Sequence, residues 1–592
     1  MKKFFGNVFA VIVGNILTFV LFGLLITLIV FFSLAGSLFQ TSKLKEGSVL
    51  ELTFDDAIKE SNMEDTYSFL SGSEISNVYY RDILRSIEKA SQDDYIKGIS
   101  LRVDNFSGGS SQLSDIRKAL KQFKESGKFI YAYSHNSSQA SYVINSVADS
   151  IFQNPLGMLL FQGLSAEVMF YKNMGDKYGV DFQVIRHGAY KSAVEPYLRE
   201  DLSPENREQL TLLLNDIWTN ISDEVAQSRH LTKEQLNVYA DSLFSFNPES
   251  ALKYKLVDKL AAEPEYEKAL ADRMGLEIKE GDTLEETLKK YTISLNDYSS
   301  ELDSESSGKD QIAILYASGA ITSGDGYNGI QSETYKKAVR DLRDDDNVKA
   351  VVLRVNSPGG SADAAEEILY ELRQLHKKKP IIVSFGDVAA SGGYYIAMES
   401  DSIFASPNTI TGSIGVLGMI PSVKKLINNV GLTTDYVKTN QNADFMKTVF
   451  EPMSETGYKT MTQMTEGVYK IFVGHVMNGR NMSFEQVDSI GGGRVWSGTQ
   501  ALKIGLIDSF GTLDDAVKAA AAKAGIDSYG ISAYPIKKDD LQTYFKDMGL
   551  VKSQTFIEQE LGSEYYQIYS DLKAIKENKG IQLRLPFHID IK

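Results

Sequence analysis

The 592-residue sequence contains no cysteine, which excludes disulfides, thiolate metal sites and cysteine nucleophiles. Histidine is scarce: His135, His187, His230, His376, His475 and His588 are scattered without ligand spacing, so no metal or other cofactor is expected. A basic patch is also missing from a chain of net charge -16, and without one nothing would neutralise a phosphate backbone, so nucleic acid is not an expected partner. Between Lys3 and Lys43 there is no charged residue at all, and residues 8–34 are nearly all Val, Ile, Leu, Phe and Gly. About 20 apolar residues cross a bilayer, so the run at 7–34 predicts one transmembrane helix. It is too long for the apolar region of a cleaved signal peptide and no small-residue cleavage site follows cleanly, so residues 1–45 read as an uncleaved signal anchor. The flanking lysines, Lys2 and Lys3 against Lys43 and Lys45, barely distinguish the two sides of the membrane.

Beyond the anchor the chain is a duplication. Leu101-Arg102-Val103 recurs as Leu353-Arg354-Val355 and Asp149-Ser150-Ile151-Phe152 as Asp401-Ser402-Ile403-Phe404, both 252 residues on. Ala251-Leu252-Lys253 returns as Ala501-Leu502-Lys503 at an offset of 250. Each copy alternates short apolar strands with amphipathic helices, the pattern of βα units around a largely parallel sheet. Ile368, Leu369, Leu372 and Leu375, for example, recur at helical spacing, with Lys377, Lys378 and Lys379 at the C-terminal end and Pro380 as a stop. The expected division is an N-terminal copy over 46–298, a Ser-, Asp- and Glu-rich linker at 299–310, a C-terminal copy over 311–535 and a tail at 536–592. The tail predicts a helix around 558–576 and a final strand-like Gln582-Leu583-Arg584-Leu585 of no evident role.

The chemistry centres on Val388-Ala389-Ala390-Ser391-Gly392-Gly393-Tyr394-Tyr395, which comes after the apolar run Ile381-Ile382-Val383-Ser384-Phe385. It reads as a buried strand, a tight Gly386-Asp387 bend and a helix whose first turn carries a serine among small residues. A helix-capping serine would look the same locally. Backbone amides at a helix start would nevertheless suit an oxyanion on an acyl group attacked by Ser391. Upstream, Val351-Val352-Leu353-Arg354-Val355 closes on Ser357-Pro358-Gly359-Gly360, where absent side chains let a substrate carbonyl approach. Gly359 or Gly360 is then a second amide donor beside Gly392.

These pieces, with Thr411-Gly412-Ser413-Ile414-Gly415 downstream, resemble the bacterial signal peptide peptidase A family, also called protease IV. The resemblance implies tandem α/β domains like those of Clp protease and crotonase, and a homotetramer with a bowl-like cavity. It also implies a catalytic body outside the cytoplasm that hydrolyses signal peptide remnants in the membrane. It is closest at Gly188-Ala189-Tyr190-Lys191-Ser192-Ala193-Val194-Glu195-Pro196, which in the two-copy form of the family supplies a lysine base to a serine in the other copy. Carried over by motif, Ser391 is the nucleophile, Lys191 the base and Ser413 the hydroxyl that orients the amine. The offset of 252 sets Gln139 opposite Ser391, so the N-terminal copy lacks the nucleophile.

Two rival bases and two rival functions remain. Aligning Glu195-Pro196 with Glu451-Pro452 sets Lys447 opposite Lys191, the position from which one-copy members of the family draw their lysine. His187 would titrate near neutrality without any shift, but the sequence marks no orienting carboxylate for it. A crotonase-like acyl-CoA enzyme would share the scaffold and the oxyanion amides without needing Ser391. A catalytically idle membrane scaffold would need neither the serine nor the lysine.

Overall fold

A computed structural model of the chain describes residues 44–54, 57–61, 79–302, 308–446, 448–536 and 581–584, with 18, 21–23 and 25 from the N-terminal run. Thr18, Leu21, Phe22, Gly23 and Leu25 are helical and exposed. Among the described residues no helix is long and apolar enough to cross a membrane; most of the expected anchor at 7–34, and the whole expected tail helix at 558–576, lie outside them.

In the N-terminal copy six strands make a parallel sheet in the spatial order Lys259–Leu260, Ser150–Gln153, Phe129–Ser134, Ile96–Arg102, Ser48–Leu52, Thr292–Ser294. The C-terminal copy repeats that order with Ser509–Phe510, Ser402–Ala405, Ile381–Ala390, Val348–Ser357, Gln311–Ser318 and Gly530–Tyr534, again parallel. Single hydrogen bonds are duplicated too. The Tyr142 hydroxyl donates to Leu256 O and that of Tyr394 to Leu506 O, each at 2.9 Å. Arg229 pairs with Asp258 at 2.7 Å as Arg480 does with Asp508 at 2.6 Å.

The strand Val348–Ser357 shows why its sequence is a near-continuous apolar run: it is covered on both faces, as parallel strands are. Val351, Leu353 and Val355 pack among the C-terminal copy's own helices, including Ala362–His376 with Ile368, Leu369, Leu372 and Leu375 buried. That helix starts where the Ser361 hydroxyl accepts from Ala364 N–H, and it ends short of Pro380. Ala350 and Val352, on the opposite face, join a core that runs into the N-terminal copy. Arg354 shares that face and is 1% exposed; it forms a two-point ion pair with Glu60 of the N-terminal copy, both contacts at 2.9 Å, above the Tyr80 ring.

The expected bend at Gly386-Asp387 is a bulge and not a chain reversal. The strand runs over Ile381–Ala390, but its residues 386–388 stand against the single Asn356 of the neighbouring strand, with Val355 opposite Phe385 and Ser357 opposite Ala389. Register shifts between Val355 and Ser357, and Asn356 Oδ1 accepts from Val388 N–H at 3.1 Å. Asp387 is thereby turned toward the other copy, where Oδ1 accepts from Ser111 N–H at 2.7 Å.

A third, mixed sheet joins the copies in the order Ile330–Gln331, Ile321–Thr322, Gly359–Ser361, Ile581–Arg584, Val416–Ser422, Asp181–His187. Its longest ladder is antiparallel, from Val416 opposite His187 to Ser422 opposite Asp181, and it crosses from one copy to the other. The segment after His187 is thus carried up to the loop before Val416.

Candidate active site

Ser391 stands between the end of the strand Ile381–Ala390 and the helix Gly392–Tyr395. Its N–H donates to Gly412 O at 2.8 Å and its carbonyl accepts from Tyr395 N–H at 2.8 Å, which fixes the backbone on both sides. The conformation, φ 55 and ψ -114, is one that a side-chain-bearing residue rarely adopts and only surrounding structure can hold. The hydroxyl does not cap the helix. The helix is a single turn of four residues, so individual amides at its start, as expected from the sequence, and no extended macrodipole, are the available donors.

The serine hydroxyl faces Lys191. Nζ lies 2.7 Å from Ser391 Oγ, 2.9 Å from Ser413 Oγ and 3.2 Å from Ser413 O, and all three residues are fully buried. Burial alone pushes the Lys191 amine well below the ordinary lysine range. As an ammonium, Nζ donates to all three oxygens. Once neutral it keeps two N–H bonds for Ser413 and turns its lone pair to the Ser391 hydroxyl.

The lysine is placed by contacts that no local pattern in the sequence announces. Lys191 O accepts from Arg186 Nη1 at 3.3 Å, and Tyr190 N–H donates to Gly492 O at 3.2 Å. Gln209, buried on the helix Pro204–Arg229, donates through Nε2 to Tyr190 O at 3.2 Å and to Ser192 Oγ at 3.0 Å. Its Oε1 accepts from Val495 N–H of the other copy at 3.3 Å. Asn206 Oδ1 accepts from Ser192 Oγ at 2.9 Å, and Glu195 Oε2 accepts from Asn206 Nδ2 at 3.1 Å. Gly493, at φ +84, closes the wall: a Cβ there would sit 2.6 Å from Lys191 Cβ and 2.7 Å from its Cα.

Gly392 and the turn Gly359-Gly360 meet beside the serine. A Cβ on Gly392 would stand 3.1 Å from Gly359 Cα and from Gly360 N, close enough that the facing backbone would have to give way by a few tenths of an ångström. The Gly359 N–H is itself directed to Ser357 Oγ at 3.2 Å.

The other candidates fall elsewhere. His187 Nδ1 pairs with Glu466 at 2.8 Å and its ring stacks on Tyr469 with centroids 3.6 Å apart, a structural post at the end of the cross-copy ladder. Lys447 lies outside the described residues. Gln139, opposite Ser391 in the duplication, is buried with Oε1 accepting from Gln162 and Gly163 N–H, both at 3.0 Å. The N-terminal copy has filled its nucleophile position with a loop anchor. Among the described residues no group of His, Asp and Glu could hold a metal ion.

The sequence model of peptidase family S49 matches residues 122–277 and again 373–527. Protease 4 of Salmonella typhi is 38% identical over 464 residues, 76% of this chain and 73% of that protein. Protease 4 of Haemophilus influenzae is 34% identical over 518 residues, 84% of this chain and 82% of that one. The chloroplastic serine protease SPPA of Arabidopsis thaliana is 30% identical over 494 residues, 82% of this chain and 70% of its own. Among solved structures, a ClpP1 mutant from Listeria monocytogenes aligns with 34% of this chain and 94% of its own at 14% identity, with a TM-score of 0.23, too low to argue from.

Proposed function

Because this chain belongs to peptidase family S49, we propose that it is a membrane-anchored serine endopeptidase in which Ser391 is the nucleophile and Lys191 the general base. The observation that carries the reading is the 2.7 Å contact between Lys191 Nζ and Ser391 Oγ, made across the two copies in full burial. A lysine in water titrates at about 10.4 and near neutrality is almost wholly charged, so it could take no proton. Burial without a carboxylate partner removes that obstacle, and Ser413 orients the amine by accepting two bonds from it. Burying an amine in this way weakens the fold, which gives an idle scaffold no reason to keep it.

Ser391 Oγ attacks the substrate carbonyl as its proton passes to Lys191 Nζ. The amide of Gly392, with one from the Gly359-Gly360 turn, receives the developing oxyanion. Lys191 returns the proton to the departing amine, and a water deprotonated by the same nitrogen releases the acyl group. The uncharged run at 7–34 would tether this body to the cytoplasmic membrane, on its extracytoplasmic side as the resemblance implies. Signal peptide remnants, apolar and without tertiary structure, fit as substrates that add a strand beside Gly359–Ser361. A homotetramer remains the expectation from the resemblance.

The test is hydrolysis of a short peptide ester by the detergent-solubilised full chain, wild type against Ser391→Ala and Lys191→Ala. Loss of turnover in both, with folded protein, is expected. Activity surviving in Lys191→Ala would move the base to Lys447 or His187, and activity surviving in Ser391→Ala would end the peptidase mechanism drawn here.

A further inference from the structure

Arg494 follows the glycine that closes the wall on Lys191, and it is tied to both sides of the dyad. Its main chain belongs to the serine side. The strand Val495–Ser497 runs antiparallel to Ile410–Gly412, with Gly412 opposite Val495, and one residue further on Arg494 O accepts from Ser413 N–H at 2.7 Å. Ser413 sits at φ 50, in the left-handed region that a serine rarely adopts, so its Oγ and O reach Lys191 Nζ only while that backbone is held.

The side chain of Arg494 belongs to the lysine side. Its guanidinium carbon lies 4.8 Å from the centre of the Tyr190 ring and 4.5 Å from the Trp496 ring, and Nη1 donates to the Tyr190 hydroxyl at 3.3 Å. Tyr190 is the residue before Lys191 and comes from the other copy. Trp496 is itself fixed, its Nε1 donating to Ile490 O at 3.0 Å. Glu208, on the helix Pro204–Arg229, accepts from Arg494 Nη2 at 3.0 Å and from the Tyr190 hydroxyl at 3.2 Å. Glu208 is exposed, so the ion pair adds little beside a planar cation packed over two rings, one from each copy.

We propose that Arg494 is a positioning residue for the dyad: its carbonyl sets Ser413 and its guanidinium clamps Tyr190, so that Lys191 Nζ is held against both serines and shut off from water. This rests on the roles of Ser391 and Lys191 proposed above. The other charged groups at the lysine loop are Arg186, which donates to Lys191 O, and Glu195 beside it. The amine is lowered by burial and not by any of these charges. Losing the clamp therefore acts by admitting water, which returns the amine toward ordinary lysine basicity and keeps it protonated to a higher pH.

The experiment is the pH dependence of peptide-ester hydrolysis by the solubilised full chain, with thermal melting on the same samples. Arg494→Ala is expected to lower kcat about 10²-fold and to move the acid limb of kcat/KM up by about 1 pH unit. Tyr190→Leu does the same, and the double variant loses no more than the worse of the two, because both substitutions break one clamp. Arg494→Lys keeps the charge and the carbonyl but not the planar fork; it shows a smaller shift in the same direction, and carries the test if the alanine variant does not fold. An acid limb that stays at the wild-type pH in the folded variants, or losses that multiply in the double variant, overturns the inference, and if Lys191→Ala is inactive on the same ester the dyad still stands. Turnover retained in Lys191→Ala overturns both.

Discussion

Replacing Lys191 by methionine separates the catalytic role of the amine from the cost of burying it. Two constant terms arise first. Ser391 Oγ, Ser413 Oγ and Ser413 O lose their contacts with Nζ, at 2.7, 2.9 and 3.2 Å, and each buried acceptor left alone costs about 1–3 kcal/mol. The removed amine, in turn, no longer needs to be taken out of water. The pH dependence isolates its titration. The unfolded chain holds the lysine proton up to the ordinary value of 10.5, whereas the folded chain releases it at a lower pH because the amine is buried. Between those two values the unfolded state binds one more proton, so the unfolding free energy of the wild type rises with pH, by up to about 1.4 kcal/mol per unit. Below the lowered value both states are protonated and the slope vanishes. Groups common to both proteins cancel, so the stability difference between wild type and Lys191→Met moves in favour of the wild type as pH climbs through that window. Urea unfolding from about pH 6 to about pH 10 measures it. In parallel, wild-type kcat/KM rises with pH toward a plateau reached below 10.5, and the variant loses about 10²–10⁴-fold in kcat. A stability difference that stays constant over the whole range would refute the argument, because Lys191 would then carry its proton in the folded state as it does in water.

Gly493→Ala is expected to lower kcat by about 10²-fold with little change in far-UV circular dichroism, because its Cβ would meet Lys191 Cβ at 2.6 Å and displace the base. Gln209→Ala frees Tyr190 O and Ser192 Oγ from the helix below; kcat falls while KM holds, since the side chain supports the lysine loop and not the substrate, and steady-state kinetics separates the two. Glu60→Ala strands the buried Arg354 guanidinium between the copies and destabilises the protein by about 3–5 kcal/mol in urea unfolding; a cost under about 1 kcal/mol would mean that the pair does not hold the copies together.

The duplication was legible in the sequence because it rests on local strings, and the strand orders of the two sheets match as the 252-residue offset implies. So was the helix Ala362–His376, whose apolar spacing, cap and stop are all local. Ser391 could be singled out from its small neighbours. Nothing local tied it to Lys191, 200 residues away; only the resemblance did, because the contact depends on a ladder between strands of different copies. The same non-locality hid Gln209, Gly493 and the Arg354–Glu60 pair. Gly386-Asp387 was legible as an irregularity but not as a bulge: whether a turn-like dipeptide ends a strand or is carried within it depends on the neighbouring strand, where Asn356 alone spans the extra residues. The tail strand could be seen as a strand, but its place between Gly359–Ser361 and Val416–Ser422 depends on partners more than 150 residues upstream.

Dividing the dyad between copies has a consequence for when activity can arise. Each copy has its own parallel sheet, but one face of the C-terminal sheet is buried in a core that the two copies share. Neither alone holds a base next to a nucleophile. Lys191 reaches Ser391 only after the strand Asp181–His187 has zipped along Val416–Ser422 and Gly492-Gly493 has closed on the lysine backbone. The desolvation that lowers the Lys191 pKa is likewise a product of that closure, since the wall is built from Gly415 and Gly493 of the other copy. Before the copies dock, the amine is in water and charged, and the serine has no acceptor for its proton. Position and basicity therefore arrive in one step. On the mechanism proposed above, a nascent chain carries no working peptidase until that step is complete.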